Sequence, residues 1–247
     1  MFCMTIAILL IEYSCYICQM IDYLIDLDTQ LFLFFHNIRA PFLDSFMWMF
    51  SKRLIWAPMY ATILIFLFRR YNWRQALIFT LAVILTITLA DQLCASHLRP
   101  FFARLRPSNP ENPLSAMVTI VNNYRSGSYG FPSCHAANTF ALATIVSLIA
   151  RQRGLTIFMF LWALITCYSR VYLGVHYPGD LIFGGIIGWL CALLVYYVAT
   201  GISSRLLMPA HTRPARRRFM RFKPAALIIL AGITTIIVIT AVSLWKA

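Results

Sequence analysis

Acidic residues are scarce in this chain: Asp and Glu together number 8 among 247 residues, against 21 Lys and Arg. On the face that carries the arginine and histidine motifs described below they are scattered, so no cluster of carboxylates is available there to hold a metal ion. We therefore predict neither a metal site nor a cofactor.

Charged residues of both signs make up only 12% of the chain, whereas 61% of it is hydrophobic and the mean hydropathy is +0.75. Soluble domains are closer to half apolar, so a soluble protein is excluded. The length suits one bundle of about six short membrane spans with little room for an extramembrane domain. We predict an all-α polytopic membrane helix bundle, with an N-terminal helix that is either interfacial or an extra span.

Two further absences concern disulfides and export. The seven cysteines are odd in number and most lie inside apolar runs, which argues against a disulfide framework and favours a packing role. The first 20 residues contain no Lys or Arg, which argues against a signal peptide. This segment is either an additional span or sequence upstream of a true start at Met20.

Six apolar segments are the predicted spans: about 54–70, 76–96, 135–150, 155–173, 181–199 and 225–244. Only residues 151–154 separate the third span from the fourth, so these two should form a hairpin. In the fifth span, Gly184 and Gly188 make a GxxxG pattern, which permits close helix packing.

An amphipathic helix is predicted upstream of the spans, capped by Asp28 or Thr29 and ended before Pro41. Its apolar face consists of Leu31, Phe34, Phe35 and Ile38, which is typical of an interfacial helix. The predicted domains are N-terminal apolar and interfacial helices (1–53), a core (54–200), a basic cytoplasmic linker (201–224) and a C-terminal transmembrane helix (225–247).

The positive charge is concentrated on one side of the predicted bundle. The connections 69–75, 151–154 and 201–224 hold twelve Lys and Arg and no acidic residue, whereas the rest of the chain holds nine and all eight acids. The positive-inside rule places these connections in the cytoplasm. The net charge of +13 then reflects topology and contact with anionic lipid rather than nucleic-acid binding.

On the opposite, outer side, three short strings each bring cations or histidines next to an apolar segment. The strings are 99–107, 132–135 and 169–180. Three of their arginines offer forked donors that match phosphate oxygens: Arg99, Arg106 and Arg170. Ser133 and Cys134 open the third span, where a helix N-terminus presents N–H groups and positive dipole to an anion. Charge neutralisation of this kind is what phosphoryl transfer requires.

The two histidines of these strings occupy complementary positions. His176 and Asp180 stand four residues apart, so the carboxylate can accept a hydrogen bond from one ring nitrogen and leave the other as a nucleophile. His135 is then the acid that protonates the departing oxygen and the base that activates water. A lone histidine is more often a cap or a surface residue, and His36 and His211 are assigned to that class.

These strings resemble the three-part signature of the type 2 phosphatidic acid phosphatase (PAP2) superfamily: Lys-x6-Arg-Pro, Pro-Ser-Gly-His and Ser-Arg-x5-His-x3-Asp. The resemblance covers roughly residues 22–200. It implies a metal-independent phosphatase that works through a phosphohistidine on His176, with His135 as the acid and base and Asp180 as the partner of His176. The phosphate-binding residues that it implies are Arg99, Arg106, Ser133, Cys134 and Arg170. This sequence departs from the signature at Arg99, where the family has lysine, and at Cys134, where it often has glycine.

The resemblance also implies a bacterial inner-membrane enzyme whose site faces the periplasm, with the bilayer and a lipid phosphate as its partners. Family substrates include lipid A, undecaprenyl diphosphate, phosphatidylglycerophosphate and phosphatidic acid. The outer loop, residues 97–134, is rich in arginine, which favours lipid A with loss of its 4′-phosphate. Undecaprenyl diphosphate is the alternative. A vanadate-binding haloperoxidase and a non-catalytic lipid-binding protein are two further classes. The apolar composition argues against the first, and the intact histidine pair argues against the second.

For three features of the outer side, the sequence either leaves two interpretations open or favours a structural role. Asp91 lies inside a span and is expected to pair with an arginine or with His97, because an unpaired charge is costly there. Arg104, Arg125 and His97 add charge that either meets a headgroup or is solvated. A nucleophilic, redox-sensitive Cys134 is not needed, since the histidines account for the chemistry.

Overall fold

The computed structural model describes residues 2–207 and 224–246. Within these ranges the chain forms helices joined by loops, with one bridged pair of residues, Leu105 and Tyr129, so the predicted all-α class is confirmed. The helices are α1 (Phe2–His36), α2 (Pro41–Phe50), α3 (Ala57–Arg70), α4 (Trp73–Gln92), α5 (Arg99–Phe102), α6 (Cys134–Ala150), α7 (Arg153–Tyr172), α8 (Pro178–Leu207) and α9 (Pro224–Lys246). His211 and most of the predicted basic linker over 201–224 lie outside the described residues.

Each of the six predicted spans is a helix, from α3 and α4 through α6, α7, α8 and α9. Helices α4 and α5 are joined through the helical segment Leu93–Leu98 into one helix, Trp73–Phe102. This helix and the helices α7, α8 and α9 are long and apolar enough to cross a membrane. Helices α2 and α3 form a pair bent by 69°, which amounts to a fifth span if taken together, and α6 is a shorter apolar helix of 17 residues. The chain is therefore a multi-pass membrane protein.

The N-terminal helix is longer than the sequence pattern predicts. Helix α1 begins at Phe2 and continues through 28–29, so the predicted cap at Asp28 or Thr29 is wrong. The Thr29 hydroxyl donates instead to the carbonyl of Ile25 one turn earlier, at 2.9 Å. The helix ends at His36, before Pro41 as predicted. Ala40, the residue before this proline, is extended, as is usual at that position.

Helix α6 occupies the centre of the bundle. Apart from His135 and Asn138 its sequence is small or apolar, and most of its residues are buried, among them Ala136, Ala137, Ala141 and Ile145. Its most extensive packing is against α8, and the short turn after Ala150 returns the chain as α7 in the predicted hairpin. The site residues at the start of α6 are thereby surrounded by protein rather than lipid.

The GxxxG pattern of α8 faces α6 at closest approach, as predicted. A Cβ on Gly184 would overlap the backbone oxygen of Ser133, and one on Gly188 would overlap that of Ala137. Only glycine lets the two backbones pack at this distance, so these positions set the depth at which α8 sits against the start of α6.

We expect Gly188→Ala to lower the stability of the protein by about 1–3 kcal/mol, the usual cost of overpacking, because the added methyl group meets main-chain atoms that cannot rotate away. The measurement is the melting temperature of the purified protein in detergent. Gly201→Ala is the matched control on the same helix, since a Cβ there has nothing within 4 Å. Equal melting temperatures for Gly188→Ala and wild type would contradict the close packing.

The two ends of the bundle differ in chemistry. At one end, Arg70 and Arg151 line a cavity of about 250 Å³ together with Tyr71 and Tyr196, so the basic connections after α3 and α6 come together as predicted. At the other end, the start of α6 meets the start of α8 through a hydrogen bond from Ser133 N–H to the carbonyl of Asp180, at 2.9 Å. The three motif strings all reach this second end.

Candidate active site

His176 and Asp180 form the pair that their spacing predicts. His176 ends the loop after α7, Asp180 lies in the first turn of α8, and the Nδ1 atom of His176 lies 3.2 Å from the Oδ2 atom of Asp180. The same Oδ2 atom accepts the backbone N–H of Tyr177 at 3.0 Å, which holds the carboxylate in place. Both side chains are almost completely buried.

The other ring nitrogen of His176 fixes the tautomer. Its Nε2 atom lies 2.7 Å from a terminal nitrogen of Arg106, which can only donate, so Nε2 carries the lone pair and Nδ1 carries the proton. Burial, together with the positive charges of Arg106 and Arg170, lowers the pKa of His176 well below its ordinary value of 6.5. The imidazole is therefore neutral at neutral pH, with its free electron pair directed at Arg106.

Arg106 is held from the loop between α5 and α6. The backbone N–H of Arg106 donates to Ser128, and its guanidinium donates to the carbonyl of Val175 at 2.7 Å. Burial, followed by the charges of Arg99 and Arg170, lowers the pKa of Arg106 to about 10, so it remains a cation at neutral pH.

Arg170 and Arg99 reach the site from two further helices. Arg170, near the end of α7, donates to the hydroxyl of Ser51 and to that of Tyr124, the latter at 3.1 Å. Arg99, at the start of α5, donates to the carbonyl of Pro132 at 3.2 Å and to the Cys134 sulfur at 2.8 Å. An arginine in place of the family's lysine thus binds the backbone of the second motif.

The three arginines have unused donors. The Nε atoms of Arg99, Arg106 and Arg170 are buried without an acceptor among the described residues. No carboxylate of the described chain lies within ion-pair distance of these three guanidinium groups. An unpaired buried cation costs several kcal/mol, so the arrangement favours an anion that accepts several hydrogen bonds at once.

The start of α6 supplies the remaining predicted residues. Ser133 is the N-cap of α6, and its hydroxyl accepts the N–H of Ala136 at 3.4 Å. Cys134 is buried in an apolar cluster with Cys94 and Cys191, where its sulfur accepts a hydrogen bond from Arg99. Cys134 therefore packs against its apolar neighbours and accepts a hydrogen bond, as a small residue in the place of the family's glycine.

His135 follows in the first turn of α6 and faces a cavity of about 250 Å³. The walls are mostly apolar, with Trp56 and Trp162 among them, while Arg53 and Asn138 are polar groups that also line it. The charges of Arg170, Arg106 and Arg99 act on both His135 and His176, so the two histidines share one electrostatic environment. The structure brings the predicted residues of all three strings together.

Three site residues escaped the sequence analysis. Arg104, predicted to bind a headgroup or to be solvated, donates to Asp28 at 2.7 Å and to Asp180 at 3.1 Å. Asp28 belongs to α1, where Asp22 and Asp26 precede it, and the sequence does not distinguish it from these two acids. Gly130 lies over the pair of His176 and Asp180, where a Cβ would stand 2.9 Å from Asp180 Oδ2. Nothing in the loop sequence signals this contact.

Two other expectations were wrong. His36 is fully buried, and its Nε2 atom accepts the N–H of Thr119 at 3.0 Å, so it joins α1 to the outer loop rather than lying at the surface. Asp91 accepts a hydrogen bond from the amide of Asn138 at 2.7 Å, and not from an arginine or His97. Among the described residues, no group of three or more His, Cys, Asp or Glu side chains could hold a metal ion.

A cluster of cations beside an imidazole with a free electron pair suits a phosphate ester, and its place at one end of a membrane bundle presents it to lipid headgroups. The class that fold and site together define is an integral membrane phosphatase. Residues 75–203 match the family model of the PAP2 superfamily, and the chain belongs to this superfamily.

Named relatives agree with the class. The chain is 53% identical over 187 residues to a lipid A 4′-phosphatase of Bacteroides thetaiotaomicron, an alignment that covers 76% of this chain and 83% of the relative. It is 35% identical over 193 residues to a lipid A 4′-phosphatase of Porphyromonas gingivalis, covering 77% and 81%. Among solved structures, LpxE from Aquifex aeolicus is similar with a TM-score of 0.53 and 28% identity, covering 69% of this chain and 95% of that one.

We expect inorganic phosphate and vanadate to raise the melting temperature of the protein, because either anion satisfies the unused donors of the buried arginines. At a concentration 100 times the dissociation constant, the gain is about 2.7 kcal/mol. Thermal melts at constant ionic strength measure it, with chloride as the reference anion. The gain should vanish in Arg106→Gln and persist in Arg153→Gln, a charge change at the far end of the bundle. Equal gains in both variants would place the anion elsewhere.

Proposed function

We propose that this protein is a lipid A phosphatase of the bacterial inner membrane that removes the 4′-phosphate on the periplasmic face through a phosphohistidine. The choice of lipid A as the substrate rests on the extended similarity to two proteins that bear the name lipid A 4′-phosphatase. The density of arginine in the outer loop does not carry it, because Arg104 is paired with two carboxylates and Arg125 donates to the carbonyl of Ser108.

The orientation rests on charge. The cavity with Arg70 and Arg151 marks the basic end of the bundle, and the positive-inside rule assigns this end to the cytoplasm. The site at the other end then faces the periplasm. We assign the catalytic core to residues 54–200, assisted by α1, and take the segment 225–247 as a separate transmembrane helix.

The first chemical step forms the covalent intermediate. The ester phosphate lies among Arg99, Arg106 and Arg170, and the guanidinium of Arg106 transfers its hydrogen bond from His176 to a phosphate oxygen. The lone pair of His176 Nε2 attacks phosphorus, and the bond between phosphorus and the sugar oxygen breaks. The negative charge of the bound phosphate offsets the nearby arginines and favours the protonated form of His135, which gives its proton to that departing oxygen. Asp180 stabilises the positive charge that develops on the imidazole, while Ser133 and Cys134 place the N-terminus of α6 against the phosphate.

The second step releases phosphate. His135, now neutral, takes a proton from water, and the resulting hydroxide attacks phosphorus. The bond between phosphorus and nitrogen breaks, and its electrons return to His176 Nε2. In both steps His135 transfers the proton and His176 holds the phosphoryl group. Arginines rather than a metal ion neutralise the phosphate.

Mass spectrometry of lipid A and undecaprenyl lipids, from cells with and without the gene, tests the substrate. We expect lipid A to lose the mass of one phosphate only when the gene is present, with fragmentation locating the loss at the 4′ position. The parallel assay follows phosphate release by purified protein in EDTA. A change confined to undecaprenyl lipids would replace the proposed substrate by the alternative one, and activity that requires an added divalent metal would refute the mechanism.

A further inference from the structure

Asp28 lies outside the segment that matches the family model, yet its side chain reaches the catalytic pair. Its Oδ1 atom accepts the backbone N–H of Gly179 at 2.7 Å, and its Oδ2 atom accepts a guanidinium N–H of Arg104 at 2.7 Å. A Cβ on Gly179 would stand 2.8 Å from Asp28 Oδ2, so only glycine admits the carboxylate here. Asp28 therefore holds an N–H group of the first turn of α8 from a separate helix.

Arg104 extends this contact to the catalytic carboxylate. The same terminal nitrogen lies 2.7 Å from Asp28 and 3.1 Å from Asp180 Oδ1, and the guanidinium stacks on the ring of Tyr177 at 3.9 Å from its centroid. Asp180 thus uses Oδ1 for Arg104 and Oδ2 for His176. The Arg104 side chain is three-quarters buried, so solvent screens its charge only in part.

We propose that Asp28 and Arg104 are positioning residues that set the effective charge of Asp180 and, through it, the basicity of His176. The proposal rests on the proposed phosphohistidine chemistry. Arg104 orients Asp180 but withdraws negative charge from it, and Asp28 offsets that withdrawal. Helix α1 thereby becomes part of the catalytic apparatus.

Several other charged groups act on His176 and remain unchanged in the experiment. They are Asp180 on α8, Arg106 in the outer loop, Arg170 on α7, His135 on α6 and Arg99 on α5. Because these groups are common to all variants, differences between variants report Asp28 and Arg104 alone.

The proposal predicts shifts of opposite sign. In Asp28→Asn, the amide oxygen still accepts the Gly179 N–H, but Arg104 is no longer offset and the pKa of His176 falls. In Arg104→Gln, a positive charge is lost and the pKa of His176 rises. Each shift should be about 0.5–1 pH unit, the scale of one partly screened charge. The double variant changes no net charge and should return close to wild type, as should Arg104→Lys.

Two measurements follow these shifts in the full-length protein in detergent. Nitrogen-15 histidine NMR gives the pKa of His176 directly, with the His176→Gln spectrum identifying its signals. The acid limb of kcat/KM for phosphate release from lipid A should move by the same amount and in the same direction. Asp26→Asn is the matched control, since Asp26 is an exposed acid on the same helix that bonds Gln30.

The outcomes separate this proposal from the proposed function. Opposite shifts in the single variants, cancelled in the double variant, support the positioning role, whereas a loss of kcat without any shift would show a purely structural contact and overturn it. A shift in Asp26→Asn as large as that in Asp28→Asn would also overturn it. If the wild type releases no phosphate from lipid A, the substrate assignment fails, while the NMR titration still decides the role of Asp28. If Asp28→Asn does not fold, the Arg104→Gln and Arg104→Lys pair decides.

Discussion

We expect replacement of His176 by alanine to abolish phosphate release, with a loss of kcat on the order of 10⁴–10⁶-fold, the range seen when a covalent nucleophile is removed. The reason is geometric: His176 Nε2 is the ring nitrogen with the free lone pair, and its other nitrogen is bound to Asp180 at 3.2 Å. Alanine leaves the arginines in place, so substrate still binds but no bond to phosphorus can form.

Two readouts check this expectation. Phosphate release from lipid A in EDTA gives the rate, and brief reaction with radiolabelled substrate followed by alkaline denaturation traps the phosphohistidine, which is labile in acid. The wild type should carry the label and His176→Ala should not. His97→Ala, at an exposed histidine of the same outer end, should retain both rate and label. A labelled His176→Ala protein would locate the nucleophile elsewhere and refute the mechanism.

Replacing His135 by alanine is the second large effect, with an expected loss of about 10²–10⁴-fold for a general acid and base. The size depends on the leaving group. A sugar alkoxide needs a proton as it departs, whereas p-nitrophenolate does not. The variant should therefore lose far more activity on lipid A than in the first step with p-nitrophenyl phosphate.

The second role of His135 gives this variant a separate signature. Without a base to activate water, the phosphohistidine formed from p-nitrophenyl phosphate should persist, so a burst of nitrophenolate is followed by slow turnover. Stopped-flow absorbance measures the burst, and the trapped label measures the intermediate. Equal losses on both substrates, with neither a burst nor trapped label, would show that His135 positions the substrate but transfers no proton.

The sequence alone predicted most of this protein. Apolar runs of sufficient length must be helical in a membrane, because every backbone N–H and C=O then needs a partner within its own segment. The interval between His176 and Asp180 is likewise local: a carboxylate in the first helical turn reaches a side chain four residues back, as the 3.2 Å contact confirms. The GxxxG pattern predicted the close packing of α8 for the same kind of reason, since absent side chains permit contact.

Contacts between distant segments needed the tertiary structure. Asp28 was interpreted as a helix cap because aspartate directly before an apolar face is a common N-cap, and only the folded chain shows it bound to Arg104 and Gly179. Asp91 bonds Asn138 rather than an arginine, and His36 is buried against Thr119. In each case the sequence shows a polar residue in an apolar segment, but it does not show the hydrogen-bond partner that offsets the cost of burying that residue.

Some features follow from interactions between neighbours in the sequence, and others from contacts between distant segments. Helix formation and the spacing of a motif depend on neighbours within one or two turns, so the sequence by itself determined the spans and the spacing within each motif. From that spacing it also predicted the roles of His135, His176 and the arginines. Which donors stay free for phosphate, and which arginine is instead neutralised, depends on the packing of α1, α6, α7 and α8 against the outer loop. Only the tertiary structure decided that Arg99, Arg106 and Arg170 keep unused buried donors. Arg104 instead lies between two carboxylates, because the energy of a buried charge depends on what the fold places beside it.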